Sequence, residues 1–174
     1  MSRIPPVSAA RLKSLPAPVR WAAPPVALLG GVALLLGGWG EPEEPVTPPT
    51  PKPAVARLCA ALDKALPDTV LGHRRQDPSP ASPYTAAWGS SPRTVLKCGI
   101  DRPDYLDDDP LASAPEVNDV QFGMGPDGHG GYRFVTTLRK AYVEITVPEG
   151  AYPNYIDPLS SLTDAIKSTV PDGL

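Results

Sequence analysis

The chain has 174 residues, of which 25 are proline, 19 acidic, 16 basic and only two cysteine. Twelve of the prolines precede Ala54, a density that excludes a packed core there and leaves one domain of ordinary size after it. Beyond Pro53, eleven basic residues face sixteen acidic ones; an acidic balance without a basic stripe excludes nucleic acid as a partner, because phosphate neutralisation drives most of that affinity.

Residues 1–20 form a tail carrying Arg3, Arg11, Lys13 and Arg20. Residues 21–39, "WAAPPVALLGGVALLLGGW", are uncharged and match the roughly 20 residues a helix needs to cross the hydrocarbon layer. Pro24 and Pro25 fall in its first turn, where missing N–H groups are tolerated. Trp21 and Trp39 stand where an aromatic belt places them. With basic residues before the segment and "GEPEEP" after it, the positive-inside rule predicts a single-pass membrane protein with a cytoplasmic amino terminus and an extracellular domain. The rival expectation is a signal peptide cleaved before Glu41, after small residues Gly38 and Gly40, which yields a secreted protein. Residues 40–53 read as a proline-rich, extended spacer that holds the domain off the membrane.

The extracytoplasmic domain, 54–174, begins with an amphipathic helix over 54–66, in which Val55, Leu58, Cys59, Leu62 and Leu66 recur at helical spacing. "TVLG" (69–72) reads as a short strand, and 77–83 as a loop. Residues 93–98 form a strand with Thr94, Leu96 and Cys98 on one face. Val120, Phe122 and Met124 alternate next, followed by Tyr132, Phe134, Thr136 and Leu138. Residues 141–147 set Ala141, Val143, Ile145 and Val147 inward and Tyr142, Glu144 and Thr146 outward, as in an antiparallel sheet wet on one side. Asp157 as N-cap and Pro158 at the first helical position open a terminal helix with Leu159, Leu162, Ile166 and Val170 on one face. The expected fold class is α+β, a small antiparallel sheet with two helices packed on one face and one disulfide.

Cys59 lies too far past the apolar segment for lipidation. Two cysteines and two histidines without close pairing fall short of a structural zinc site, so neither metal nor cofactor is expected. A thiol nucleophile would need a fixed neighbouring base. A disulfide between Cys59 and Cys98 suits an oxidising compartment and the core-side placement of both residues.

The stretches "LCAALDKALPDTVLGHRR", "AAWGSSPRTVLKCGI" and "VPEGAYPNYIDPLSSLTDAI" together resemble the actinobacterial family designated domain of unknown function 3515, over residues 55–171. The leucine-proline helix end with Cys59, the Trp88-Gly89 pair and Cys98-Gly99 are the most specific parts. Phe122 stands near a place where such proteins often carry tryptophan. The resemblance implies a small protein with an N-terminal membrane or signal segment and an envelope setting, and it implies no activity.

Among residues that invite a functional reading, His73, Arg74 and Arg75 form the one compact basic cluster of the domain, a candidate anion site for phosphate or carboxylate groups, set against a solvated loop. Trp88 is a candidate surface aromatic, set against a core or edge position. "DYLDDDP" (104–110) lacks the ligand alternation of a calcium loop and reads as a solvated acidic loop. "GPDGHGG" (125–131) reads as a mobile hairpin loop with His129 at its tip. No catalytic residues are assigned, since no nucleophile, base and orienting acid stand in a recognisable arrangement. The resulting expectation is a non-enzymatic binding or structural module of the cell envelope, touching membrane lipid through its N-terminal segment and an envelope polymer or protein through its domain. The alternative is a cell-envelope enzyme or accessory subunit using His73, Arg74 and Arg75.

Overall fold

The computed structural model describes residues 44–108 and 115–173. The expected tail, the apolar segment and residues 40–43 lie outside the described residues, within which no helix is long and apolar enough to cross a membrane. One compact unit spans Glu43–Leu174.

Pro53 opens helix α1 (Pro53–Ala65), whose buried Cys59 and Leu62 follow the spacing read from the sequence. Next come the two-residue strands β1 (Thr69–Val70) and β2 (His73–Arg74), paired antiparallel. Strands β3 (Thr85–Trp88) and β4 (Thr94–Ile100) form a hairpin, and the short helix α2 (Tyr105–Asp108) follows. After it run β5 (Glu116–Val117), β6 (Val120–Pro126), β7 (Tyr132–Thr136) and β8 (Tyr142–Val147). Two helices close the described chain, α3 (Asp157–Ser160) and α4 (Thr163–Thr169).

The fold is α+β, and its sheet is larger than the small one expected: six strands in the order β3-β4-β8-β7-β6-β5, every pairing antiparallel, beside the separate β1-β2 pair. β3 and β5 were missed because four alanine-rich or two isolated residues carry little alternation. Register aligns Ala86, Leu96, Ile145, Phe134 and Met124 across five strands, and since cross-strand partners share a face, one apolar surface results. Against it Cys59 and Leu62 of α1, Leu66 at its C-cap, Leu159 of α3, Leu162 at the N-cap of α4 and Ile166 of α4 complete a single core.

Four local expectations change. Leu138 turns away from the strand, left-handed at φ 58° and exposed. The terminal helix divides after Ser160, where Ser161 and Leu162 donate to carbonyls three residues back, Pro158 and Leu159, a tighter turn than the α-helix allows; its cap is Ile156, so Asp157 is already helical. "DYLDDDP" contributes α2 instead of a solvated loop, and α2 buries Leu106. The face expected to be wet is therefore partly covered: a Cβ at Gly123 would fall 2.0 Å from Leu106 Cδ2, and one at Gly125 2.8 Å from Tyr105 Cδ2, and Glu144 is only 9% exposed.

The last part of the proline-rich spacer is not free. Val46 is buried, its N–H donates to the Ser79 carbonyl at 3.0 Å, and the Glu44 carbonyl accepts from Arg93. Pro51 crosses β4 at its bulge, where Gly99 has φ +84° and a Cβ would sit 2.6 Å from Pro51 Cβ. A proline-rich strand makes no internal hydrogen bonds, so Val46 can give its amide to the domain while its side chain gains apolar cover. The domain thus begins about ten residues earlier than Ala54.

Candidate functional site

The cysteines are joined: Cys59 on α1 and Cys98 on β4 form a disulfide with Cα atoms 5.5 Å apart, so neither serves as a thiol nucleophile or a thiolate ligand.

The basic cluster does not assemble into one site. Arg75 Nη1 donates to the Asp63 carbonyl at 2.8 Å, Nη2 pairs with the Asp63 carboxylate, and Nε reaches Asp77 Oδ1 at 3.2 Å. Its guanidinium fastens α1 to the segment after β2. His73 points its ring at Tyr152, with centroids 5.2 Å apart and planes at 78°. Arg74, between them on an extended strand, faces solvent; its carbonyl accepts from the Gly89 N–H at 3.1 Å, while its side chain makes no hydrogen bond or ion pair among the described residues. Alternation along β2 explains the split, since consecutive residues point to opposite sides.

Trp88 is corrected from a surface aromatic to a core residue: it is 1% exposed and its indole N–H donates to the Pro67 carbonyl at 3.0 Å. Large apolar area with one polar edge suits a buried position that supplies a single acceptor.

A different constellation stands at the end of the sheet where the β6–β7 hairpin meets the β8–α3 connection. There a cleft of about 160 Å³ is lined chiefly by Tyr132, Tyr152, Tyr155, Glu149 and Gly130-Gly131. Tyr132 opens β7 opposite Val147, at the rim of the core. Tyr155 lies on it with centroids 4.4 Å apart and also meets Phe134 at 6.1 Å. Such offset or tilted pairs are worth about 0.5–1.5 kcal/mol beyond area burial, which holds the exposed Tyr155 in place. Tyr152 is fixed by two groups that do not line the cleft: His73, and Thr94, whose hydroxyl donates to the Tyr152 oxygen at 3.2 Å.

The loop expected to be mobile is internally bonded. Asp127 Oδ1 accepts from the His129 N–H at 2.7 Å and the Gly131 N–H at 2.9 Å. Gly130, at φ +91°, brings backbone so near Glu149 that a Cβ would fall 2.2 Å from Oε2. Only glycine allows this approach, and it places a carboxylate at the rim of the tyrosines. His129 stays on the exposed outside of the loop. These tyrosines were overlooked in the sequence, although three aromatic residues within and opposite "VPEGAYPNYIDP" were a signal: a connection that merely turns has no need of them.

A second cleft of about 350 Å³ includes Asp119, Leu138, Arg139 and Asp172. Its arginine is committed to structure, donating to the Val170 carbonyl at 2.9 Å and the Asp119 carbonyl at 3.4 Å and pairing with Asp172 at 3.3 Å. Among the described residues, no three His, Cys, Asp or Glu side chains gather as metal ligands would.

No curated protein and no solved structure matches the chain. The model of the family described as "Protein of unknown function (DUF3515)" matches residues 22–173, nearly the whole sequence, and the chain belongs to that family.

Proposed function

We propose that the protein is a non-enzymatic, extracytoplasmic binding module of the cell envelope, anchored through its N-terminal segment, or secreted where that segment is cleaved, and that the tyrosine cleft is its contact surface. The observation that carries this reading is the cleft itself: concave, aromatic, rimmed by one carboxylate and tied rigidly to the sheet. Aromatic residues grouped in a concavity with few polar groups are what small binding sites use. Both cysteines being consumed in a disulfide supports an oxidising compartment, and the uncharged segment 21–39 supports contact with membrane lipid. The alternative, an envelope enzyme or accessory subunit built on His73, Arg74 and Arg75, gains nothing from a cluster whose members point apart.

The test is crosslinking and recovery of the full-length protein from its native envelope, beside a Tyr152→Ala/Tyr155→Ala variant. An envelope polymer or protein should be retained by the first and lost by the second. Retention of nothing above background, or equal retention by both, would remove the support for this function.

A further inference from the structure

We propose that the tyrosine cleft holds an organic ammonium ion, with Tyr132, Tyr152 and Tyr155 as its aromatic walls and Glu149 as its counter-charge. The inference rests on the reading of the cleft as the binding surface and specifies what enters it.

Four observations select this ligand class. Tyrosine rings attract cations through their quadrupole, the interaction by which grouped aromatic residues recognise quaternary ammonium. Among the described residues, the only charged one lining the cleft is Glu149, exposed and with its carboxylate in no ion pair or hydrogen bond, and no lysine or arginine among them lines the cleft to neutralise it. The nearby Asp127 is already spent on the His129 and Gly131 amides. Finally, about 160 Å³ is roughly half the lower bound of pockets that enclose whole drug-sized ligands, so a single compact group fits and the rest of its molecule must project outward. A neutral sugar is the competing occupant. It would call for several convergent donors and acceptors, whereas the side chains here offer phenols and one carboxylate, and the Tyr152 oxygen already accepts from Thr94.

The site is preorganised, so binding needs no rearrangement. Tyr155 is braced by Tyr132 and Phe134, Tyr152 by His73 and Thr94, and Glu149 rests on Gly130. Ordering costs that would otherwise oppose binding of a small ion are thereby already met by the fold.

The experiment uses the ¹⁵N-labelled full-length protein in a nonionic detergent, with the amides of Gly130, Gly131 and Gly150 as reporters. It is titrated separately with choline chloride, ethanolamine hydrochloride, sodium chloride, the neutral choline isostere 3,3-dimethylbutan-1-ol, and N-acetylglucosamine. Saturable shifts are expected with choline or ethanolamine at millimolar concentration, with the neutral isostere at least fivefold weaker and sodium chloride silent. Glu149→Gln, an exposed and nearly isosteric change that leaves the fold alone, should weaken the ammonium ion about fivefold or more; Tyr155→Ala should abolish saturation. Equal binding of the isostere and choline, binding of N-acetylglucosamine alone, unchanged affinity in Glu149→Gln, or no saturable shift with any probe would overturn the proposal. If the Tyr152→Ala/Tyr155→Ala variant loses envelope retention while choline and ethanolamine stay silent, the ammonium inference fails and the binding reading stands.

Discussion

Replacing Cys59 and Cys98 together by alanine removes the one covalent tie between α1 and the sheet. The bond closes a loop of 39 positions. The chain-entropy relation then assigns the unfolded state about 13 cal/mol/K of extra freedom when the tie is cut, or about 4 kcal/mol at 25 °C, a model-dependent figure. Both sulfurs are buried in the core, so the alanines also leave a small void that adds in the same direction. For a compact unit of roughly 130 residues, unfolding entropy near 60 °C is about 0.27 kcal/mol/K, so the melting temperature should fall by about 15 °C. Thermal unfolding followed by circular dichroism on the full-length protein measures it, with the reduced and thiol-blocked wild-type protein as a second route to the same state. A fall of less than about 4 °C in both would refute the reasoning, because it would mean that the unfolded chain is already held compact or that the native bond is strained enough to cancel the entropic gain.

Arg75→Ala is expected to cost about 1–2 kcal/mol through its charged hydrogen bonds to Asp63, discounted for partial exposure, while Arg74→Ala changes stability by less than about 0.5 kcal/mol; chemical denaturation separates the two, and equal effects would undo the assignment of Arg75 as a structural tie. Gly99→Ala forces a left-handed residue and a Pro51 contact at 2.6 Å, so it should lower stability by about 1–3 kcal/mol and release the Val46 amide to hydrogen exchange; a protected Val46 amide in that variant would show that the end of the proline-rich spacer docks independently of the bulge. The Tyr105 phenol, its oxygen buried without a partner among the described residues, is pushed up to about 12 by burial, with the Glu144 carboxylate adding and Arg133 opposing. Between pH 10 and 12 the unfolded chain has released that proton and the folded chain has kept it, so the stability it confers is present below about pH 10 and lost as pH rises toward 12. Alkaline unfolding should be less steep in Tyr105→Phe, and absorbance titration should show one late phenol; uniform titration near pH 10 would contradict it.

The α+β class, helix α1, the strands around Leu96, Phe122, Phe134 and Ile145, and the pairing of Cys59 with Cys98 were all legible in the sequence, because each depends on spacing along one segment or on an inventory of two cysteines. Short-range pattern could not give the width of the sheet, since β5 is two residues long and β3 is only Thr-Ala-Ala-Trp, nor the cover that α2 lays over Gly123 and Gly125, which depends on glycine leaving room for Leu106 and Tyr105 from elsewhere in the chain. The candidate site divides along the same line. His73, Arg74 and Arg75 are adjacent in sequence, but an extended backbone points them apart, and Arg75 finds Asp63 twelve positions away on a helix. Tyr132 is separated from Tyr152 and Tyr155 by twenty residues or more across two connections, and the three converge only because β7 and β8 pair in the register that sets Tyr132 against Val147. Composition and periodicity determine which faces are buried. The meeting of three rings and one carboxylate is decided by strand pairing, which no single segment encodes.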